Sequence, residues 1–158
     1  MISLVSTRFT NNTWQENLDY RKKINCEGCI YGSPQELSPK IMVFSDVYVV
    51  EMNNDINKIE GIGFIKNMSY ADKYYKIHED GNYNRYIYKS NDYIERDELL
   101  RYNHDIVESL EKILFKGKTH LKRGSGFTTI PEKLLNDEKY KSLDIKITIS
   151  RLFMEKKI

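Results

Sequence analysis

The sequence contains few of the residues and patterns that mark several classes of protein. Its 158 residues include two cysteines, three prolines and one tryptophan. No apolar run approaches the roughly 20 residues that a membrane-spanning helix needs. The first residues, Met1-Ile2-Ser3-Leu4-Val5, lack the basic flank and the long apolar stretch of a signal peptide. We therefore expect an intracellular protein that is neither secreted nor bound to a membrane.

Composition and length indicate one folded domain that covers residues 1–158. Hydrophobic residues make up 40% of the chain and charged residues 30%, which is typical of a globular protein and not of a disordered one. The net charge of +2 is too small to predict nucleic-acid binding, so the distribution of charge matters more. The 12 tyrosines have two interpretations, either the codon bias of an AT-rich genome or a role in stacking on bases.

The two cysteines, Cys26 and Cys29, form a lone C-x-x-C motif. A structural zinc site needs four ligands, usually with a second close pair of cysteines or histidines. The histidines His78, His104 and His120 are scattered and offer no such pair. We expect reduced structural thiols, and we predict neither a metal nor a cofactor.

The hydrophobic pattern predicts an α+β fold. Residues 41–44 and 47–52 are apolar, β-branched and aromatic, and residues 59–65 continue the pattern after a break at 53–55. This predicts an antiparallel hairpin. Further strands are predicted at residues 73–77, 86–88 and 93–95.

The strongest helix signal covers residues 97–114, where apolar residues recur at helical spacing. Shorter helices are predicted at 14–23 and 131–135. The tail from Ile145 to Phe153 fits a strand or a helix, and we favour the helix. The rest of residues 1–40 is predicted to be irregular, with residues 1–28 forming an extension packed on the domain.

Three residues in the hairpin attract attention. Gly61 and Gly63 lie two apart on one face of a strand, which suggests a close backbone approach. Glu51, inside the strongest strand, is the one acidic residue distinguished as an acid/base candidate, and the alternative is a carboxylate that simply points outward. No nucleophile motif or metal-binding motif is present, so catalysis is disfavoured and no catalytic residue is assigned.

A basic segment between glycines, Lys116–Gly126, interrupts a chain that is otherwise balanced in charge. Lysine and arginine bind phosphate oxygens, and glycines let backbone N–H groups approach them. The alternative is a solvated charged loop. The predicted nucleic-acid contacts in this segment are Lys116, Lys118, His120, Lys122, Arg123 and Ser125.

A second candidate contact is Arg85, within Asn82–Tyr88, where tyrosines and asparagines surround the cation. Asparagine can read adenine edges, and tyrosine and arginine can stack on bases. The alternative is a strand whose tyrosines are half-buried against a helix.

The order of segments resembles the PUA-like superfamily, which includes the EVE and ASCH domains and the YTH domains that read methylated adenine. The resemblance is carried by residues 29–33, 44–50 and 61–65, followed by the helix at 97–114. Ser45 stands where these domains usually have glycine. Two segments, Tyr83–Tyr86 and Phe115–Lys118, are also similar to uncharacterised proteins of giant DNA viruses, which implies a viral context.

This resemblance implies a curved sheet or barrel with flanking helices, and a pocket for a flipped or modified base with a basic rim. The predicted pocket walls are Trp14, Tyr31, Tyr86 and Phe127. We expect a nucleic-acid-binding module that reads a modified or flipped base in DNA or RNA. The alternatives are an ASCH-like ribonuclease that uses groups such as Lys118 and His120, and a viral structural or host-interaction protein without a nucleic-acid ligand.

Overall fold

Seven strands and five helices form the computed structural model, which describes residues 2–157. The strands are β1 (Ser3–Phe9), β2 (Cys29–Ser33), β3 (Asp46–Asn53), β4 (Lys58–Lys66), β5 (Tyr86–Ser90), β6 (Asp92–Glu95) and β7 (Phe127–Thr129). The helices are α1 (Asn11–Lys23), α2 (Arg96–Tyr102), α3 (His104–Phe115), α4 (Glu132–Leu135) and α5 (Ile145–Lys156).

The strands form two sheets. The main sheet has the order β6-β4-β3-β1-β7, and β1 runs parallel to β3 while the other pairs are antiparallel. Strands β2 and β5 form a separate antiparallel pair. The α+β fold and the predicted β3–β4 hairpin are confirmed. Within residues 2–157 the two sheets do not close into a barrel.

The main sheet is covered on both faces, which explains why β3 is buried from Val47 to Asn53. On one face, Val50 and Met52 pack with the helices α2 to α5. On the other face, Val47 and Val49 pack against the smaller sheet. Successive residues of a strand face opposite sides of the sheet. Because both sides of β3 are buried, its sequence needs a continuous apolar run, and it has one.

The prediction of an irregular N-terminal extension is wrong for residues 3–9, which form β1, whereas the helix predicted at 14–23 is confirmed as part of α1. Strand β1 lies inside the main sheet, between β3 and β7. Its polar residues from Ser6 to Arg8 interrupt the apolar pattern by which a buried strand is predicted from sequence. Helix α1 begins at Asn11 because Thr10 forms a reciprocal cap, in which its side chain accepts the N–H of Thr13 at 3.1 Å.

Three other elements differ from expectation. Residues 41–44 form a turn instead of a strand, and residues 73–77 form no regular secondary structure. The predicted helix at 97–114 is two helices, because extended backbone at Asn103 separates them and its side chain caps α3. The tail is helical, as favoured. No helix within residues 2–157 combines the length and the apolar character that crossing a bilayer requires.

A buried charge network joins α1 to both sheets. Glu51 on β3 is 0% exposed, so the alternative in which its carboxylate points outward is excluded. Its Oε2 accepts hydrogen bonds from Nη2 of Arg21 at 2.6 Å and from the hydroxyl of Tyr31 at 2.7 Å. Its Oε1 accepts the hydroxyl of Tyr93 at 2.7 Å. Every donor that reaches Glu51 therefore comes from a different element: α1, β2 or β6.

The two glycines of β4 make room for this network. A Cβ atom at Gly61 would lie 2.2 Å from the Tyr93 hydroxyl, and one at Gly63 would lie 2.3 Å from the Tyr31 hydroxyl. Any larger residue would displace a donor of Glu51. A close backbone approach is present at Gly61, beside the carbonyl oxygen of Ile94, whereas the atoms near Gly63 belong to the side chains of Tyr31 and Cys29.

The network fixes the protonation of its members. Burial opposes the charge of Arg21, but the carboxylate of Glu51 raises the pKa of Arg21, so the guanidinium stays charged. Burial raises the pKa of the Tyr31 and Tyr93 phenols well above their usual range, so both remain donors. Burial likewise raises the pKa of Cys29, a free thiol beside the network, to about 11.

We predict that Glu51→Leu destabilises the fold by about 3–5 kcal/mol, because the charge of Arg21 would then be buried without a partner. Urea unfolding measures this cost. The matched control replaces the whole network, with Arg21→Met, Glu51→Leu, Tyr31→Phe and Tyr93→Phe together, and should lose less stability than Glu51→Leu alone. A cost below about 1 kcal/mol for the single variant would contradict the proposed importance of the ion pair.

Candidate nucleic-acid interface

The basic loop, defined as Lys116–Gly126, connects α3 to β7. The predicted contacts on its surface are Lys116, Lys118, His120, Arg123 and Ser125, which are exposed, and Lys122, which is half-buried. None of the four lysine and arginine side chains forms an ion pair with any residue in 2–157. Their charges are therefore available to an external anion.

Arg8 of β1 holds the end of the basic loop in place. Its Nε donates to the carbonyl oxygen of Leu121 at 3.0 Å, and its Nη1 donates to that of Gly126 at 3.1 Å. Its Nη2 donates to the hydroxyl of Thr128. Burial lowers the pKa of Arg8. The half-buried Arg8 side chain therefore holds the loop in its conformation and does not project into solvent as a free cation.

The glycines at the end of the basic loop are required by its path. Gly124 and Gly126 have φ angles of 109° and 70°, a region that favours glycine. A Cβ atom at Gly124 would lie 2.9 Å from Nη2 of Arg8. On the other side, the amide of Asn54 donates to the carbonyl oxygen of Lys122 at 2.8 Å. The loop is therefore fixed to the main sheet at several points.

A cavity of about 270 Å³ opens beside the end of the basic loop. We call it the His78 pocket. The end of β1 and the start of α1 form two of its walls. The segment before β5 forms a third wall. The pocket is lined by Thr7, Arg8, Phe9, Thr10, Thr13, Glu16, Gly32, Asn54, His78, Asp80, Tyr83, Gly124 and Gly126.

His78 is the most distinctive group in this pocket. Its side chain is 5% exposed, and its Nδ1 lies 2.7 Å from Oε1 of Glu16. A carboxylate only accepts, so Nδ1 donates to Glu16, and Nε2 is the ring nitrogen that Glu16 does not engage. Nε2 has no hydrogen-bond partner among residues 2–157. The other oxygen of Glu16 accepts the N–H of Glu79 at 3.1 Å, so one carboxylate positions both ring and backbone.

The four predicted aromatic walls come together elsewhere, in the core between the two sheets. Tyr31 is 1% exposed and is bound to the buried charge network, so it cannot stack on a base. Phe127 packs edge-on against Tyr31, Trp14 packs edge-on against Phe9, and Tyr86 lies half-buried beside this core. None of the four lines the His78 pocket. Aromatic character alone did not distinguish a packed core from a ligand pocket.

Arg85 is exposed and follows a turn that contributes to the His78 pocket. This is the short 3₁₀ turn Gly81–Asn84, and Tyr83 of that turn lines the pocket. The Arg85 guanidinium lies 5.7 Å from the ring centre of Tyr86. Arg85 itself does not line the pocket.

Sequence reasoning missed the residues of the His78 pocket. They come from five separate segments between Thr7 and Gly126, and no motif joins them. One signal was available, because the spacing of Thr10 and Thr13 forms a helix cap and places Glu16 one turn later. That spacing could have predicted where α1 begins. It could not have predicted that His78 pairs with Glu16.

One further group of side chains could hold a metal ion. The ligand atoms of His104, Asp105 and Glu108 lie within 4.8 Å of one another on the exposed start of α3. Glu108 is already paired with Lys112 at 3.1 Å, and this ion pair would compete with a metal. The group is distant in sequence from the His78 pocket and shares no residue with it.

Comparison with known proteins found no matching family model, no matching curated protein and no matching solved structure. The resemblance to the PUA-like superfamily remains a prediction from sequence.

Proposed function

We propose that this protein binds nucleic acid, with the sugar–phosphate backbone on the basic loop and one base in the His78 pocket. One observation carries the proposal. The segment Gly124–Gly126 belongs to the basic loop and also lines the pocket, so a ligand bound to one surface meets the other.

The basic loop supplies the affinity for the backbone. Lys116, Lys118, Lys122 and Arg123 place four cations within eight residues, and no ion pair with residues 2–157 occupies them. Cations of this kind bind phosphates and release counterions from the nucleic acid. Because Arg8 already holds the loop in shape, less conformational entropy is lost when the ligand binds.

The pocket is suited to a neutral polar group and not to a phosphate. Its charged members include both signs, with Arg8 offset by Glu16 and Asp80. Its neutral polar members include Thr7, Thr10 and Thr13. A base edge carries donors and acceptors that such groups can read.

The resemblance to PUA-like domains supports the same function. Those domains combine a base pocket with a basic rim, and here a pocket lies beside a basic loop on an α+β fold. Assignment of the fold to that superfamily, and selection for a modified base, form part of this proposal. The pocket walls would be His78, Tyr83 and the residues around them, in place of the four aromatics predicted from sequence.

The triple variant Lys118→Ala, Lys122→Ala, Arg123→Ala tests the proposal. We expect weaker binding to mixed-sequence oligonucleotides. The salt slope should also fall by about 0.7 for each phosphate of a single strand that the variant no longer neutralises. Fluorescence anisotropy across a salt series measures both quantities.

The control removes the same charges from the helical side of the molecule, with Lys133→Ala, Lys141→Ala and Arg151→Ala. These residues are also exposed and outside the ion pairs found in the structure. The control should bind like the wild type. Equal losses of affinity in both triple variants would mean that only net charge matters, and that the basic loop is not the binding surface.

A second candidate function, cleavage of RNA, is favoured by the geometry of His78 and Glu16. A histidine oriented by a carboxylate through Nδ1 can act as a general base through Nε2. In RNA, Nε2 would remove the proton of a 2′-hydroxyl. The 2′-oxygen would attack phosphorus, the bond to the 5′-oxygen would break, and that oxygen would be protonated from water. This assigns the chemistry to His78 and Glu16 instead of Lys118 and His120.

Product analysis in the presence of EDTA tests this candidate. The wild type should convert an RNA oligonucleotide to fragments that end in a 2′,3′-cyclic phosphate, and should leave the 2′-deoxy analogue intact. His78→Asn should lower the rate, measured at saturating protein, by on the order of a hundredfold or more. If the wild type forms no product while it binds the RNA, the His78–Glu16 pair is structural and the protein only binds.

A further inference from the structure

The paired side chains of His78 and Glu16 line a second cavity, which has a volume of about 230 Å³. We call this cavity the α1 recess. Its walls are residues 76–79 and four residues of α1, which are Glu16, Asp19, Tyr20 and Lys23. Among residues 2–157, the α1 recess and the His78 pocket share only His78 and Glu16. One pair of side chains therefore lies between two cavities of similar size.

Hydrogen-bond acceptors dominate the α1 recess. The carboxylate of Glu79 enters none of the ion pairs found in residues 2–157, and Glu79 is exposed. Asp19 is also exposed, and its Oδ1 accepts a hydrogen bond from Gln15 at 2.9 Å. Ionised carboxylates accept hydrogen bonds and donate none. The recess therefore suits a ligand that presents N–H donors.

The α1 recess also contains groups that bind the other parts of a nucleotide. Lys23 and Lys76 are exposed and form no ion pair within the described chain, residues 2–157. Their charges offset most of the charge of the three carboxylates, and cations bind phosphates. The half-buried Tyr20 lines the recess and adds an aromatic ring on which a base can stack.

We propose that the α1 recess holds the nucleotide next to the one whose base lies in the His78 pocket, and that it selects a base with an exocyclic amine. This binding mode rests on the proposed function, since it needs a strand with one base already in the His78 pocket. Adjacent nucleotides of an unpaired strand can fill both cavities because only one pair of side chains separates them. The phosphodiester between the two nucleotides would then lie beside His78, whose Nε2 is not engaged by Glu16.

The preference for an amine follows from the carboxylates. Aspartate and glutamate accept a hydrogen bond from the N4 amine of cytosine, and adenine carries a similar amine at N6. Uracil carries the O4 carbonyl oxygen in place of the N4 amine, and this oxygen would meet carboxylates without a donor. Cytosine and uracil are therefore a matched pair of ligands, because they have nearly the same shape and exchange a donor for an acceptor.

Binding of single-stranded oligo(dC) and oligo(dU), measured by fluorescence anisotropy in EDTA, tests the proposal. Deoxy strands lack the 2′-hydroxyl that cleavage needs, so the measurement reports binding alone. We expect the wild type to bind oligo(dC) at least about fivefold more tightly than oligo(dU), which is the lower end of what one base contact contributes. The double variant Asp19→Asn, Glu79→Gln should lower this ratio to about two or less, because an amide can also donate to O4.

The control variant carries Glu138→Gln and Glu155→Gln. Removing two acidic charges raises the affinity for any strand, so the ratio of the two affinities is the quantity to compare. Glu138 and Glu155 are exposed on the helical side and enter no ion pair in residues 2–157, and the control should keep the wild-type ratio. Asp19 and Glu79 are exposed as well, so both double variants should melt close to the wild-type temperature.

A wild type without the preference, or a double variant with an unchanged ratio, would overturn the proposal. A preference that appears only when magnesium replaces EDTA would overturn it too, because the carboxylates would then hold a divalent cation instead of a base. If the basic-loop variant loses affinity while the cytosine preference is absent, nucleic-acid binding stands and only the second subsite is lost. A wild type that binds neither strand would contradict the proposed function itself.

Discussion

The carboxylate of Glu51 is the contact on which the arrangement of the molecule depends. It binds Arg21 from α1, Tyr31 from the smaller sheet and Tyr93 from the edge of the main sheet. A buried carboxylate with three donors is stable only when all of them are in place, because the loss of one leaves an expensive unpaired group. This requirement fixes the angle of α1 against both sheets. The start of α1 lines the His78 pocket, and Glu16 on the same helix positions His78, so the buried network also shapes the candidate site.

A second set of polar contacts, made by Arg8, connects the main sheet to the basic loop at the surface. Arg8 near the end of β1 binds the basic loop and also lines the pocket, together with its neighbours Thr7 and Phe9. One strand therefore supports both parts of the proposed binding surface. The four cations of the basic loop form no ion pair within residues 2–157, whereas Arg21 is paired with Glu51 and Arg8 is bound to the loop backbone. Position in the fold, and not residue type, separates the structural arginines from those available to a ligand.

The sequence predicted the elements whose signals are local. The β3–β4 hairpin has a continuous apolar run and a turn, α3 has a strong helical period, and the basic loop is a cluster of charges; all three lie where they were predicted. Contacts between distant segments could not be predicted. Glu51 is buried because Arg21 reaches it from 30 residues away, and β1 is central although its middle is polar. Residues 41–44 resembled a strand because exposed and buried apolar residues cannot be told apart by sequence pattern, although these residues form a turn.

The central claim is that the basic loop and the His78 pocket form one binding surface. Amide chemical shifts measured during titration with a short single-stranded oligonucleotide test it directly. The largest changes should fall within residues 116–126 and at the pocket residues Thr10, Thr13, His78 and Tyr83, and both groups should change along one saturation curve. Changes confined to the helical side, changes in the loop without any in the pocket, or the absence of changes at saturating concentration would contradict the claim.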